Sequence, residues 1–269
     1  MTLKNAAPIG KESTHMKNQI DFYEKDFIEI LFASSSHTFP LHSHECFCFG
    51  VVEEGCVTFS INGNRKMLLP GMAFIIPSNV GVSIQAEGHY RYITICMKNK
   101  WKECLKHLEF KDYFLTFSSS GRIHEMCLDY IKSGFAEEFV QSIVTLIQPV
   151  TVNGLEKCKR KASSGIVEAA GEYIYSHAQE KFSLDALAGA VCVSKYYLVK
   201  LFKREMGVTP NQYYIQAKIR MAKERIMSPQ KEADMAMELN FNDQSHLCNL
   251  FKRQMGTSLQ SYKKSFEEL

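Results

Sequence analysis

Hydrophobic and polar positions change rhythm twice along the chain. Between residues 27 and 97, short alternating runs (27–32, 46–52, 57–61, 72–76, 80–84 and 90–97) are parted by the turn signals Glu54-Gly55, Asn62-Gly63-Asn64 and Pro70-Gly71. A period of two marks strands, and many short strands at spacings of about 8–12 residues predict a sandwich or barrel. After Trp101 the spacing becomes helical, over 101–108, 123–132 and 137–147. In the last of these, Phe139, Ile143 and Ile147 form a stripe with Val140 and Val144 beside it. That stripe needs a partner, either a second subunit or the chain's own barrel. Residues 148–165 hold Pro149, Asn153-Gly154, the basic cluster Lys157, Lys159, Arg160 and Lys161, and Ser163-Ser164-Gly165. Little there can pack, so a linker is predicted. Everything from Ile166 onward reads as helix.

The helical half repeats itself. Leu201-Phe202-Lys203-Arg204-Glu205-Met206-Gly207 recurs 49 residues later as Leu250-Phe251-Lys252-Arg253-Gln254-Met255-Gly256. Upstream of each copy lie a short helix, 184–190 or 233–239, and a polar turn. Ser194 and Asp243 stand where a side-chain oxygen caps the next helix, and the two glycines stop it. Short helix, turn, then a helix with a basic, polar exposed side is the helix-turn-helix pattern. Two copies are too few for a helical solenoid.

Composition bounds the rest. The chain has 269 residues and 30.7 kDa, is 45% apolar and 23% charged, and carries a net charge of +3. That is enough for two globular domains and excludes general disorder. The total charge hides a division. From Arg160 onward there are 16 Lys/Arg against 12 Asp/Glu, a net +4, and the first 159 residues carry 16 against 17, a net −1. A basic C-terminal part suits a polyanionic partner. Nine cysteines fall in no CxxC spacing. With a polar start at Met1 to Gly10 and no apolar run long enough for a membrane, the expectation is a reduced, cytoplasmic protein with free thiols.

The C-terminal ~100 residues resemble the AraC/XylS family of transcription regulators. The resemblance rests on the paired Phe-Lys-Arg-x-Met-Gly blocks, on Thr209-Pro210-x-x-Tyr213, and on Asn240-Phe241-Asn242-Asp243-Gln244-Ser245-His246-Leu247. It implies two helix-turn-helix units, at about 183–207 and 232–256, joined by a long helix at about 211–227 with Tyr214, Ala217 and Met221 on one face. Three positions depart from the family pattern: Asn240 stands for the usual Gly, Leu259 for the usual Pro, and Glu232 for an apolar residue. Asn tolerates a left-handed turn, so Asn240 is a mild change. On the recognition helices, Leu198, Leu201 and Phe202, and then Leu247, Leu250 and Phe251, are expected inward. Lys195, Tyr196, Val199, Lys200 and Lys203 face outward on the first, and Gln244, Ser245, His246, Asn249 and Lys252 on the second. By resemblance, Tyr196, Val199, Lys200, Ser245, His246 and Asn249 approach base edges in successive major grooves of double-stranded DNA. Asn pairs bidentately with adenine and Lys reaches guanine. Lys203, Arg204, Lys252 and Arg253 suit phosphates.

The N-terminal half resembles the small cupin-like jelly roll that the same family places before its DNA-binding part. Pro40-Leu41-His42-Ser43-His44-Glu45, Glu54-Gly55, Leu69-Pro70-Gly71 and Ile75-Ile76-Pro77 carry that resemblance. As residues two apart on a strand, His42, His44, Cys46 and Cys48 share one face. They are ligand types for Zn²⁺ or Cu⁺. A continuous strand would spread them over about 20 Å, too far for one ion. The Glu and second His of metal-dependent cupin enzymes are replaced near Cys48-Phe49 and Gly81-Val82. His42, His44, Glu45 and Arg91 are therefore expected to serve a small-molecule pocket, and Cys46 and Cys48 to be small buried residues.

The expected molecule is an α+β, two-domain, non-enzymatic regulator. Residues 1–148 form a cupin-like β-barrel (jelly roll) with flanking helices that senses an effector and dimerises. Residues 149–165 are the linker, and residues 166–269 the all-α DNA-binding domain. The expected partners are promoter or operator DNA, a small-molecule effector, RNA polymerase and a second copy of the chain, with no cofactor and no membrane. Two alternatives stand beside it: a metal- or redox-sensing regulator using His42, His44, Cys46 and Cys48, and a metal-dependent cupin enzyme.

Overall fold

The computed structural model describes residues 18–152, 165–226 and 231–267. Most of the expected linker and the end of the expected joining helix lie outside the described residues. The chain begins with β1 (Gln19–Lys25), β2 (Ile28–Ser35), β3 (Phe39–Ser43), β4 (Phe47–Glu54), β5 (Val57–Ile61), β6 (Asn64–Leu68), β7 (Met72–Ile76), β8 (Gly81–Ala86) and β9 (Tyr90–Met97). Then come α1 (Asn99–Leu105), β10 (Phe114–Thr116), α2 (Gly121–Ser133) and α3 (Ala136–Ile147). Six strands pair in the order β1-β2-β9-β4-β7-β10 and four in the order β3-β8-β5-β6. Each sheet keeps its own edges, so the expected barrel is a jelly-roll-like sandwich that does not close.

Between the sheets the space is filled by Phe59 stacked on Phe74 at 4.3 Å, Tyr90 on Tyr92 at 5.4 Å, and the aliphatics Val52, Val57, Ile61, Leu68 and Val82. The outer face of the larger sheet is covered by α1, α2 and α3 through Trp101, Ile123, Tyr130, Phe139, Val140, Ile143 and Ile147. The Phe139, Ile143, Ile147 stripe thus finds its partner on its own sheet. Each such side chain contributes roughly 1.5–3 kcal/mol on burial, which holds this face inside the monomer.

The C-terminal part is helical throughout: α4 (Gly165–Ser176), α5 (Leu184–Ala190), α6 (Lys195–Met206), α7 (Pro210–Arg225), α8 (Glu232–Glu238), α9 (Gln244–Met255) and α10 (Leu259–Glu267). Helix α7 opens with a full capping box, Thr209 with Gln212, and Pro210 in its first turn. Its first half packs Tyr213, Tyr214 and Ala217 into the core of the first unit. Its second half gives Ile219 and Ala222 to the core of the second.

The two parts dock through charge, rings and backbone. Glu29 on β2 is 5% exposed and receives Lys98 Nζ at 2.7 Å and Lys223 Nζ of α7 at 2.9 Å. Burial pushes its carboxyl up, but the two ammonium groups outweigh that and hold it below its ordinary value of 4.5. Next to it, Phe22 of the edge strand β1 enters the second unit's core, edge-on to Tyr262 at 4.9 Å. The glycines that end α6 and α9 are both left-handed, with φ of 71° and 73°, and both abut the sandwich. A Cβ on Gly81 would meet the carbonyl oxygen of Gly207 at 2.9 Å, and one on Gly256 would meet the Phe39 ring at 2.7 Å.

Two outcomes follow. Glu29→Ala leaves two lysines facing each other and is expected to cost about 3–5 kcal/mol in chemical denaturation. As its folded pKa lies below the unfolded one, the wild-type clamp contributes fully above about pH 4.5 and is lost as pH falls through the lower folded value. Gly81→Val, which backbone atoms cannot accommodate, is expected to split one calorimetric unfolding transition into two. A single unchanged transition would show that the Gly81–Gly207 contact does not govern docking.

Candidate functional site

Two short helices and two turns set the recognition helices. Val193 N–H donates to Ala188 O at 3.0 Å in the first unit, and Phe241 N–H to Ala236 O at 2.8 Å in the second. The residue before each, Cys192 (φ 54°) or Asn240 (φ 53°), is left-handed. The second turn then spends one extra residue, Asn242, before its cap. Ser194 caps α6 by accepting from Tyr197 N–H at 3.3 Å, and Asp243 caps α9 by accepting from His246 N–H at 2.7 Å. Lys218 of α7 fastens the second turn: its Nζ donates to Asn240 O at 2.6 Å and lies 4.1 Å over the Phe241 ring. Burial lowers its pKa to about 8.

On α6, Lys195, Tyr196, Lys200 and Lys203 are exposed, Tyr196 at 80%, while Val199 is half-buried. On α9, Gln244, Ser245, Asn249 and Lys252 are exposed and His246 is half-buried against Phe241. Leu250, expected inward, is only half-buried. Three of the expected DNA contacts already hold a protein partner. Lys195 pairs with Asp185 at 2.8 Å, and Gln244 Nε2 donates to Glu232 Oε2 at 2.8 Å. The unusual Glu232 therefore braces the start of α9. His246 accepts through Nδ1 from Asn242 N–H at 3.3 Å, which ties its ring to the turn.

Of the expected pocket residues, the two histidines are brought together and Glu45 and Arg91 turn elsewhere. His42 and His44 meet, Nε2 to Nε2, at 3.1 Å. Burial, then the neighbouring His44, lowers the His42 pKa to about 3, so its ring is neutral. Glu45 turns instead to α7, accepting from Tyr213 Oη at 2.8 Å and pairing with Arg220 at 2.8 Å. Arg91 lies at the opposite end of β9 and pairs with Glu53 at 3.5 Å and Glu54 at 3.3 Å. A cleft of about 400 Å³ opens elsewhere, on the four-stranded sheet, lined by Phe39, Thr58, Ser60, Arg65, Ser83 and Gln85 among others. Its residues are scattered over four edge and centre strands, and only a short alternation of Thr and Ser hints at it in the sequence.

The expected spread of His42 to Cys48 along one strand is also corrected. β3 ends at Ser43 in one sheet and β4 starts at Phe47 in the other. The chain crosses between sheets at 44–46, which folds the donors inward. Donor atoms of His44, Cys46 and Cys48 all lie within 4.8 Å of one another. Cys96, overlooked in the sequence, joins them because strand register sets it opposite Cys48, with the sulfurs 3.6 Å apart. Cys48-Phe49 and Gly81-Val82, near which the expected Glu and second His of metal-dependent cupins are replaced, are buried.

The family model for an AraC-like ligand binding domain matches residues 28–108, and that for a helix-turn-helix domain matches residues 187–265. The probable transcriptional regulator LumQ of Photobacterium leiognathi is 24% identical over 234 residues, which is 85% of this chain and 92% of LumQ. The HTH-type transcriptional regulator YbfI of Bacillus subtilis is 26% identical over 225 residues, 78% of this chain and 81% of its own. Among solved structures, ToxT of Vibrio cholerae has the same fold, with a TM-score of 0.58 at 11% identity over 91% of this chain and all of ToxT (100%). Another ToxT structure, solved with an unsaturated fatty acid bound, gives 0.57 at 11% identity over 93% of this chain and 97% of ToxT.

Asn249, exposed on the middle of α9 with a side chain able to pair bidentately with adenine, gives the sharpest test. Asn249→Ala is expected to cost roughly 1–3 kcal/mol in a gel-shift series and to relax preference at one base position. Unchanged affinity and specificity would sink the assignment.

Proposed function

Because the chain belongs to the AraC family of transcription regulators, DNA-binding proteins with an N-terminal ligand-binding domain, we propose that it is an effector-responsive regulator whose two recognition helices read neighbouring major grooves. The observation that carries this reading is geometric. The sandwich rests on the left-handed glycine ends of α6 and α9, and the outward faces of both helices stay exposed to solvent. Tyr196, Val199, Lys200, Ser245, His246 and Asn249 read bases in this proposal. Lys195, Lys203, Gln244 and Lys252 hold the backbone, with Lys195 and Gln244 exchanging Asp185 and Glu232 for DNA.

The effector of this proposal is a small polar molecule in the cleft on the four-stranded sheet. The hydroxyls of Ser60 and Ser83, with the Gln85 amide and the Arg65 guanidinium that bond each other at 3.0 Å, suit such a ligand. The fatty acid belongs to ToxT. Here aromatic side chains fill the space between the sheets. Phe39 supports a route from cleft to DNA, because it lines the cleft and touches the end of α9 at Gly256. His37 on the same segment donates to Arg253 O at 3.1 Å. An occupant that moves Phe39 changes how α9 is held, and the ligand then biases DNA binding by its difference in affinity for the two arrangements. The proposal includes no enzymatic step, a cytoplasmic location, contact with RNA polymerase and action as a homodimer. Among the described residues no helix is long and apolar enough to cross a membrane.

Selection of duplexes from a randomised pool by the full chain tests this. The expected enrichment is a pair of short tracts about one helical turn, 10–10.5 bp, apart, repeated where a homodimer binds. Affinity should fall steeply with salt. Retention of DNA without enrichment of any sequence would reject the reading.

A further inference from the structure

The crossing between β3 and β4 does two things at once. Ser43 and Glu45 point to α7: Ser43 N–H and Oγ–H approach Gln216 Oε1 at 3.4 and 3.3 Å, and Glu45 grips Tyr213 and Arg220. His44 and Cys46, one residue out of phase with them, point the other way, toward Cys48. Cys46 and Cys48 sulfurs are 3.5 Å apart, and Cys48 and Cys96 sulfurs 3.6 Å apart. The edge of a tetrahedron of thiolates around Zn²⁺, at a bond length of about 2.3 Å, is about 3.8 Å. Cys46 and Cys96 each therefore sit at ligand spacing from Cys48, and Cys46 is partly buried.

The hydrogen bonds around the histidines orient the nitrogen donor. His42 Nδ1 lies 2.7 Å from Pro40 O, which only accepts, so Nδ1 carries the proton and His42 Nε2 is an acceptor. His44 Nε2–H then donates to it across 3.1 Å. That leaves His44 Nδ1 with a lone pair. A ring nitrogen freed by a hydrogen bond at the other one is the arrangement found at metal-bound histidines. The backbone is fixed as well, since Asn79 N–H donates to His44 O at 2.7 Å.

We propose that His44, Cys46 and Cys48, with Cys96 as fourth donor, bind one thiophilic d¹⁰ cation, Zn²⁺ or Cu⁺, and that the ion fixes the crossing through which Ser43 and Glu45 hold α7. Each coordinating thiol exchanges its S–H bond for a metal–sulfur bond, and the protons leave to solvent. The ion is distinct from the effector of the cleft. Its effect on DNA rests on the regulator reading above, whereas its binding does not.

The test uses the reduced full chain without a histidine tag. Zn²⁺ is titrated against a chromophoric chelator, and Cu⁺ anaerobically against a copper(I) chelator; the ion held at one equivalent against the stronger competition is the ligand. Co²⁺ is expected to produce a thiolate charge-transfer band. Cys46→Ala should weaken that band and His44→Ala should lower affinity, both at partly buried positions whose folding is checked by circular dichroism. Cys104→Ala, at an exposed cysteine outside the cluster, should change neither. His42→Leu is expected to lower affinity about 10–100-fold with the thiolate band retained, as for a positioning residue. The metal-loaded and metal-free chains should also differ in DNA affinity. No stoichiometric uptake of either ion, or equal uptake by the His44 and Cys46 variants, would overturn the site. Uptake without DNA binding by either form would leave the site standing and overturn the regulator reading.

Discussion

Glu29 is the point at which the two halves become one molecule. A carboxylate 5% exposed is costly to bury, and Lys98 from the sandwich and Lys223 from α7 offset that cost only when both are in place. Its second lysine comes only from the arrangement that sets α7 of the DNA-binding part beside β2. The apolar insertion of Phe22 and the close backbone approach of Gly81 to Gly207 are consistent with that same arrangement. An ionic clamp of this kind gives orientation more than affinity, because apolar contacts of equal area would slide.

From that arrangement the functional surfaces follow. The sandwich sits at the C-terminal glycines of α6 and α9, so among the described residues the outward faces carrying Tyr196, Lys200, Ser245 and Asn249 stay exposed. The contacts to α7, α9 and α10 come from β1, β2 and the two ends of β3. Phe39 at one end of β3 meets α9, and Ser43 and Glu45 just past the other meet α7. A single edge strand thereby lies between the cleft, the cysteine cluster and the DNA-binding part. Edge strands have fewer ladder bonds to hold them, so they are the part of a sheet that shifts at least cost.

The strands that the alternation of the sequence marks as separate runs are β2, β4, β5, β7, β8 and β9. The remaining four, β1, β3, β6 and β10, are the edges of the two sheets. The reason is physical. An edge strand is half solvated, and β1 (QIDFYEK) and β6 (NRKML) carry charges where a central strand carries Val or Ile. β3 contains Pro40, and its boundary with β4 is invisible because the alternation continues through the crossing. That hidden crossing is also why His44, Cys46 and Cys48 looked too far apart to act together. The helical stripe of α3 was legible as needing a cover, but amphipathicity does not say whose surface supplies it.

The sequence by itself determined the recognition units. Their repeat, caps and glycine stops are local, each set by hydrogen bonds within a few residues, and the basic surplus of the last 110 residues could be counted. Only the tertiary structure decided what meets across the domains. Cys96 faces Cys48 through strand register, Glu45 faces Tyr213 across 168 residues of chain, and Glu29 lies between two lysines from different domains. Such pairs depend on where remote segments pack, and no spacing along the chain encodes that.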